Sequence, residues 1–129
     1  MEMTISASLL VVDDDPRNRK LMLTLLRAEG HVVRSADSGA AALAEIAIEL
    51  PDAILLDIMM PAMDGFEVVR HLKADPLSRH VPIIMVTALD DEASRARLVA
   101  AGVDDVVTKP LDRWLLKGCL ERVLARSRS

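Results

Sequence analysis

The sequence predicts a doubly wound α/β domain with one sheet of five parallel strands between two layers of helices. Short apolar runs alternate five times with longer amphipathic segments. The apolar runs are continuous, as is typical of strands that are buried on both faces. The longer segments repeat apolar residues at intervals of three and four, which indicates helices that link parallel strands by right-handed crossovers.

The first two strand-helix units occupy the N-terminal part of the chain. Residues 9–12 form an apolar strand that ends in three aspartates, and Pro16 then suits the first turn of a helix that Gly30 ends. Residues 31–35 form the second strand, and Ser38 opens the second helix, which Pro51 ends. Apolar residues repeat at helical spacing in the first helix, at Leu21, Met22, Leu25 and Leu26, and share one face of the second, at Leu43, Ile46, Ala47 and Leu50.

The third and fourth units follow the same pattern. Residues 53–56 form the third strand, which ends at Asp57, and Asp64-Gly65 marks a turn before a helix. Phe66, Val69 and Leu72 form the apolar face of that helix. Residues 81–86 form a β-branched fourth strand that closes on Thr87, and residues 91–101 form a fourth helix that Gly102 stops.

In the fifth unit the strand is short and the helix is long. Val106 and Val107 form a strand before Thr108-Lys109-Pro110, and residues 111–125 form the last helix. Its apolar residues are Trp114, Leu115, Leu120, Val123 and Leu124, and we expect Trp114 to pack in the core.

Composition and charge restrict the function. The 129 residues fit a single domain, residues 1–129 with a core of about 8–125, and 51% hydrophobic residues exclude disorder. A net charge of -4 argues against direct nucleic-acid binding. A single cysteine, Cys119, permits no internal disulfide and is expected to be a packing residue. Because no signal peptide and no membrane-length apolar run is seen, we expect a cytoplasmic protein without membrane contact.

Polar residues stand at the carboxyl ends of four strands. Asp13 and Asp14 end the first strand, Asp57 the third and Thr87 the fourth, and Lys109 follows the fifth. In open parallel sheets ligands bind in the crevice outside these ends, so topology alone gathers the five side chains.

Three carboxylates in one crevice repel one another, and a divalent cation removes the conflict. Oxygen ligands without histidine or cysteine favour Mg²⁺. An aspartate can accept a phosphoryl group, and an already ionised carboxylate needs no general base. The metal, the Lys109 ammonium and the Thr87 hydroxyl would each stabilise one phosphoryl oxygen.

These residues lie in motifs that resemble response-regulator receiver domains, the CheY-like superfamily of two-component signalling. The stretches are Leu9-Leu10-Val11-Val12-Asp13-Asp14, Leu55-Leu56-Asp57-Ile58-Met59-Met60-Pro61-Ala62-Met63-Asp64-Gly65, Ile83-Ile84-Met85-Val86-Thr87-Ala88 and Thr108-Lys109-Pro110. The resemblance spans about residues 9–124. It implies the flavodoxin-like (βα)5 receiver fold with strand order 2-1-3-4-5, and often a cis peptide at the lysine-proline step.

The resemblance also implies residue roles. Asp57 would be the phosphoacceptor that forms an aspartyl phosphate. Asp14, Asp57 and the backbone carbonyl of Met59 would bind Mg²⁺ directly, and Asp13 would act mainly through metal-bound water. Thr87 and Lys109 would contact the phosphoryl group.

The resemblance further implies the partners. The donor would be a sensor histidine kinase or a histidine phosphotransfer protein, and the downstream effector is unknown. The domain would be a regulatory phosphoacceptor rather than an enzyme, although it would assist its own phosphorylation and dephosphorylation. Family members commonly dimerise on activation, so a homodimer is one expectation. Nothing that resembles an output domain follows Ala125, and both a single-domain regulator and a piece of a longer protein stay open.

Two positions bear on the readout and the lifetime of the phosphorylated state. The family often has an aromatic residue three positions before the lysine, where this chain has Val106. Since valine has no ring to swing inward, the output would run through the loop after Thr87 and the fourth helix. Met59 and Leu89 are apolar at positions that influence dephosphorylation, so we expect slow loss of the phosphoryl group.

Two other classes of function compete. A stand-alone Mg²⁺-dependent phosphatase or phosphotransferase for small molecules would use the same crevice, but the chain lacks a spaced two-aspartate motif and a cap domain that excludes water. A nucleotide-binding domain would need a glycine-rich first turn, and this turn is acidic.

Overall fold

The computed structural model describes residues 6–88 and 92–128, in which five strands alternate with five helices. The strands are Ser8–Val12 (β1), Val32–Ala36 (β2), Ala53–Asp57 (β3), Ile83–Thr87 (β4) and Asp105–Thr108 (β5). The helices are Pro16–Ala28 (α1), Gly39–Ile48 (α2), Gly65–Ala74 (α3), Glu92–Ala101 (α4) and Arg113–Arg128 (α5). Within the described ranges no helix is both long and apolar enough to span a membrane.

All strands are parallel and pair in the order β2-β1-β3-β4-β5. This confirms the predicted doubly wound sheet and its strand order. The chain adds β2 on one side of β1 and β3 on the other, so the order reverses between β1 and β3. A crevice forms at the carboxyl ends of strands where such a reversal occurs.

Helices cover both faces of the sheet. Successive residues of a strand point to opposite faces, so Leu9 and Val11 belong to one core cluster while Leu10 and Val12 belong to the other. Residues of α1 and α5 complete the first cluster, and residues of α2, α3 and α4 complete the second. Burial on both faces explains why the strands are continuously apolar.

Side-chain caps determine where three helices begin. Asp15 Oδ1 accepts the Arg17 N–H at 2.9 Å, Ser38 Oγ accepts the Ala41 N–H at 3.1 Å, and Asp64 Oδ1 accepts the Glu67 N–H at 3.0 Å. Each cap satisfies an N–H group that has no partner within the helix. The predicted turn at Asp64-Gly65 is therefore the start of α3.

The predicted boundaries differ from the structure by one to three residues. The second strand begins at Val32 instead of residue 31, because the His31 N–H donates to the Leu26 carbonyl in the turn that ends α1. The last helix begins at Arg113 instead of residue 111, since Asp112 Oδ1 accepts the N–H groups of Trp114 and Leu115 as a cap. The predicted start of the fourth helix at residue 91 lies outside the described residues.

The prediction that Trp114 packs in the core is wrong. Its side chain is 68% exposed in the first turn of α5. The guanidinium of Arg113 and the ammonium of Lys117 lie 5.2 and 5.8 Å from its ring centroid. Leu115 is exposed as well, at 66%, whereas the predicted residues Leu120, Val123 and Leu124 are buried together with Leu116 and Cys119. The prediction that Cys119 is a packing residue is confirmed, and burial raises the pKa of its thiol to about 12.

Gly65 allows α3 to start directly against β3. A Cβ atom at this position would lie 2.7 Å from the Asp57 carbonyl oxygen and 2.8 Å from the Ile58 Cα atom.

We expect Gly65→Ala to lower the free energy of unfolding by about 2 to 3 kcal/mol, because the backbone has to move to relieve the overlap. Gly118→Ala is the matched control, since its Cβ would only approach Arg122 Nη1 at 3.6 Å. This change in a helix interior should stabilise the protein by about 0.5 to 1 kcal/mol. Urea unfolding of the two variants measures both effects, and equal effects would contradict the close-approach explanation.

Candidate functional site

An acidic cluster occupies the crevice at the carboxyl ends of β1 and β3. Asp13 and Asp14 follow β1 directly, and Asp57 is the last residue of β3. One carboxylate oxygen from each lies within 4.8 Å of the others. Asp13 and Asp57 are buried, with 0% and 5% of their surfaces exposed, whereas Asp14 is exposed. Two inward carboxylates and one at the mouth form a site that opens to solvent.

The turn after β1 holds Asp13 in place. Asp13 Oδ1 accepts the N–H of Asp15 at 2.9 Å, and the Asp13 carbonyl accepts a hydrogen bond from Arg19 Nη1 at 2.9 Å. Arg19 lies one turn into α1, so the helix is attached to the site as well as to the core. Sequence reasoning missed Arg19, because a helical arginine carries no motif that separates it from a solvated one.

Asp57 is fixed at the end of β3 by the loop that follows it. Its Oδ1 accepts the N–H of Met59 at 3.2 Å, and the Gly65 N–H donates to the Ile58 carbonyl at 2.9 Å. Burial raises the pKa of the Asp57 carboxyl group; Lys109 opposes this shift and Asp13 adds to it. The crevice therefore stores unfavourable negative charge that a bound cation relieves.

Lys109 supplies the positive charge in this crevice. Its Nζ atom lies 3.4 Å from Asp13 Oδ2 and 3.5 Å from Asp57 Oδ2, and its side chain is 20% exposed. The Lys109 N–H donates to the Thr87 carbonyl at 2.7 Å, and the peptide bond to Pro110 is cis, as the family resemblance implies. The ammonium is thus held between two acidic side chains at the end of the sheet.

Thr87 is the fully buried last residue of β4. Strand register pairs Asp57 with Val86, so Thr87 lies one residue beyond the acidic residue on the neighbouring strand. Thr87 also pairs with Thr108 of β5, whose hydroxyl oxygen accepts a hydrogen bond from Arg95 of α4 at 3.1 Å. Arg95 of α4 therefore binds Thr108, the residue next to Lys109. The sequence alone did not predict this contact.

Of three further predicted positions, two fall within the described residues. Met59 is 63% exposed two residues after Asp57. Leu89, the second position predicted to influence dephosphorylation, lies outside the described residues. Val106, the residue in place of an aromatic, is partly buried and packs against the core cluster of α2, α3 and α4.

The donor set suits a hard divalent cation. Together the three carboxylates and the Lys109 ammonium carry two formal negative charges, which one divalent ion neutralises. All side-chain donors of the cluster are carboxylate oxygens, and exposed Asp14 leaves room for the waters that Mg²⁺ retains. The residues present therefore fit Mg²⁺.

Comparison with known proteins agrees with the fold. The family model for the response regulator receiver domain matches residues 9–121. The chain is 48% identical over 112 residues to Response regulator PleD of Caulobacter vibrioides, covering 87% of this chain and 25% of PleD. It spans about half of several other curated relatives, including Response regulator MprA of Mycobacterium ulcerans.

Solved structures give the same result. Chemotaxis protein CheY4 of Vibrio cholerae superposes with a TM-score of 0.87 at 30% identity, covering 92% of this chain and 99% of CheY4. The receiver domain of sensor histidine kinase PA1611 of Pseudomonas aeruginosa, which has a magnesium ion coordinated in its active site cleft, gives a TM-score of 0.86 at 31% identity. That match covers 94% of this chain and 99% of the PA1611 domain.

Proposed function

Because this chain belongs to the response regulator receiver domain family, whose members are phosphoacceptor switches of two-component signalling, we propose that Asp57 is its phosphoacceptor. One observation carries this assignment: a buried carboxylate at the end of β3 lies 3.5 Å from the Lys109 ammonium and beside two further carboxylates. We take residues 1–129 as one such domain, with a core of about 8–125. The alternative of a small-molecule phosphatase gains no support from the matches.

The proposed chemistry uses the charges of the crevice. A carboxylate oxygen of Asp57 attacks the phosphorus of a phosphoryl donor, and the bond between phosphorus and the donor's leaving group breaks. Lys109 and Thr87 stabilise the transferred oxygens by charge and by a hydroxyl hydrogen bond. Asp14, Asp57 and the Met59 carbonyl would hold Mg²⁺, with Asp13 acting through water, and the ion would supply further charge neutralisation. The domain in this way assists its own phosphorylation.

Phosphorylation would change the surface by a local mechanism. A phosphoryl group adds about 1.5 to 2 negative charges and three acceptor oxygens. Thr87 and Lys109 move toward these oxygens and shift an existing equilibrium. With Val106 in place of an aromatic residue, we propose that the shift reaches α4 through Thr108 and Arg95, which share a 3.1 Å hydrogen bond.

The partners follow from the family and not from this chain alone. We propose a sensor histidine kinase or a histidine phosphotransfer protein as phosphoryl donor, a cytoplasmic location, and a homodimer in the active state. The effector remains unassigned, because the chain spans only a quarter of PleD and about half of several other curated relatives.

The direct test is covalent labelling by a small-molecule donor. Incubation with acetyl phosphate and excess Mg²⁺ should increase the intact mass by one phosphoryl group, and peptide mapping should locate it at Asp57. Parallel incubation with EDTA should give no adduct. A stable adduct on another residue, or equal labelling with EDTA, would contradict the proposed site.

Mg²⁺ affinity should depend on Asp14. Because Asp14 is exposed, Asp14→Asn should weaken Mg²⁺ binding at least about 10-fold with little change in folding stability. Asp15→Asn is the matched control, since asparagine also caps α1 and the residue lies outside the cluster. Calorimetric titration with MgCl₂ measures both variants. A similar loss of affinity in the two would show that general charge, rather than ligation, controls binding.

The aspartyl phosphate should be lost slowly. Exposed Met59 is apolar, so it offers no group that orients an attacking water beside Asp57. We expect a half-life of at least minutes after removal of acetyl phosphate, and Met59→Asn should shorten it several-fold by supplying an amide. Intact mass followed over time measures both lifetimes. A wild-type half-life of seconds without a phosphatase would contradict this expectation.

A further inference from the structure

An apolar groove lies between the C-terminal turns of α2 and α3. Its volume is about 460 Å³, and Ile46 and Leu72 contribute to its lining. Three of its lining side chains are unusually accessible for large apolar residues: Ile48 is 79% exposed, Leu77 is 77% exposed and Leu50 is 45% exposed. Exposed apolar surface of this kind is typical of sites that bind another protein.

The residues that end the two helices make the groove acidic. Glu49 is the C-cap of α2 and Asp75 is the C-cap of α3, and both side chains line the groove. Acidic groups at helix C-termini oppose the helix dipole, which favours cations there. His71 lines the same groove. Arg34 contacts the carbonyls of Glu45 and Glu49 from the side of β2, and it is not among the lining residues.

The three exposed apolar residues, Ile48, Leu50 and Leu77, form the rim of the groove, and at Leu77 this rim is held in a defined position. Asp75 Oδ1 accepts the Leu77 N–H at 2.9 Å, and the buried Ser78 hydroxyl donates to the Leu72 carbonyl at 2.9 Å. The segment that carries Leu77 is therefore tied to the end of α3 by two hydrogen bonds. A rim that is fixed before binding loses little conformational entropy when a ligand covers it.

We propose that this α2–α3 groove binds an amphipathic helix of a partner protein, with Leu or Ile side chains inserted into it and Lys or Arg side chains beside Glu49 and Asp75. Most of the accessible apolar surface stands on the rim, so a small molecule inside the groove would leave it exposed. A helix about 10 Å wide covers both the floor and the rim. Pairing of two copies through this groove would place acidic residues opposite one another, which disfavours self-association.

The groove is separate from the phosphoacceptor crevice. Leu50 precedes β3 and Asp57 ends it, so the two sites lie at opposite ends of a strand roughly 15 Å long. The proposed contact therefore serves to recruit a partner, and it does not require a phosphorylated Asp57.

The test uses a model helix as the probe. A 15-residue amidated peptide of leucine and lysine with helical periodicity is titrated into the ¹⁵N-labelled 129-residue chain. We expect the largest amide shift changes at Ile48, Leu50 and Leu77. The matching leucine-glutamate peptide should bind at least about 10-fold more weakly, because its carboxylates would be repelled by those of Glu49 and Asp75.

Substitutions separate the groove from nonspecific apolar binding. Leu77→Ser should weaken binding of the leucine-lysine peptide at least about 10-fold. Leu115→Ser, at another largely exposed leucine, on α5, should leave the binding of this peptide unchanged. Shifts centred on Trp114 and Leu115, equal binding of the two peptides, or no effect of Leu77→Ser would overturn the proposal. Concentration-dependent shifts at the groove without peptide would also overturn it, since a second copy would then be the occupant.

Discussion

Asp57→Asn is expected to abolish phosphoryl incorporation from acetyl phosphate. The asparagine amide has no ionised oxygen to attack phosphorus. Asp13 is also buried and lies 3.4 Å from the Lys109 ammonium, so the variant tests which of the two carboxylates is the acceptor. Wild-type chain should reach near-stoichiometric labelling under conditions in which the variant shows none. Intact mass spectrometry after matched incubations measures this difference.

The same substitution should stabilise the metal-free fold at neutral pH. The pKa of Asp57 is raised mainly by burial, so the folded state favours its protonated form. The stabilisation linked to this group is fully present below the ordinary pKa of aspartate and is lost as pH rises through the raised value. Asparagine stays neutral, so in EDTA the variant should exceed wild type at pH 7 by about 1 to 2 kcal/mol.

Two comparisons check the origin of that gain. The stability difference should shrink as pH falls through the Asp57 pKa, and excess Mg²⁺ should stabilise wild type more than the variant, because a ligand stabilises the state that binds it. Urea unfolding at several pH values measures both trends. If Asp57→Asn destabilised the metal-free chain at pH 7, the raised pKa and the stored charge would both be wrong. Labelling of the folded variant at another aspartate would instead contradict the acceptor assignment.

The sheet topology was predictable because the apolar runs and the polar residues at their ends favour the same arrangement. Continuous apolar runs require a sheet that helices cover on both faces, and parallel strands place their carboxyl ends at one edge of this sheet. The proximity of Asp13, Asp14 and Asp57 follows from this topology. The strand order itself came from the family resemblance, since periodicity does not say on which side of β1 each strand is added.

The features that sequence reasoning missed depend on which side of a helix faces the sheet. Trp114 suggested burial by its size, yet the buried stripe of α5 begins at Leu116. Arg19 reaches the Asp13 carbonyl only because α1 packs at a particular rotation. The α2–α3 groove joins residues from two helices and from the loops that follow them, and no periodicity in one segment predicts it.

Lys109→Met is expected to slow phosphorylation by about 10²- to 10³-fold, the usual cost of removing one group that stabilises charge in a transition state. Its Nζ atom contacts both Asp13 and Asp57, so the variant should also lose about 2 to 3 kcal/mol of stability in EDTA. The initial rate of mass increase with acetyl phosphate and urea unfolding measure the two effects. Lys117→Met, which removes a lysine paired with Glu29 at 3.6 Å, is the control and should change neither by a comparable amount.

Mg²⁺ distinguishes a charge role for Lys109 from a purely structural one. If the ammonium acts through its charge, its removal leaves a more negative cluster, and the variant should bind Mg²⁺ at least as tightly as wild type and recover stability when the ion is added. The phosphorylation rate should nevertheless stay low at saturating Mg²⁺, because the ion is already present in the wild-type reaction. A variant that lost Mg²⁺ binding along with its stability would show that Lys109 only supports the fold. Full recovery of the rate by Mg²⁺ would show that its charge is dispensable for phosphoryl transfer.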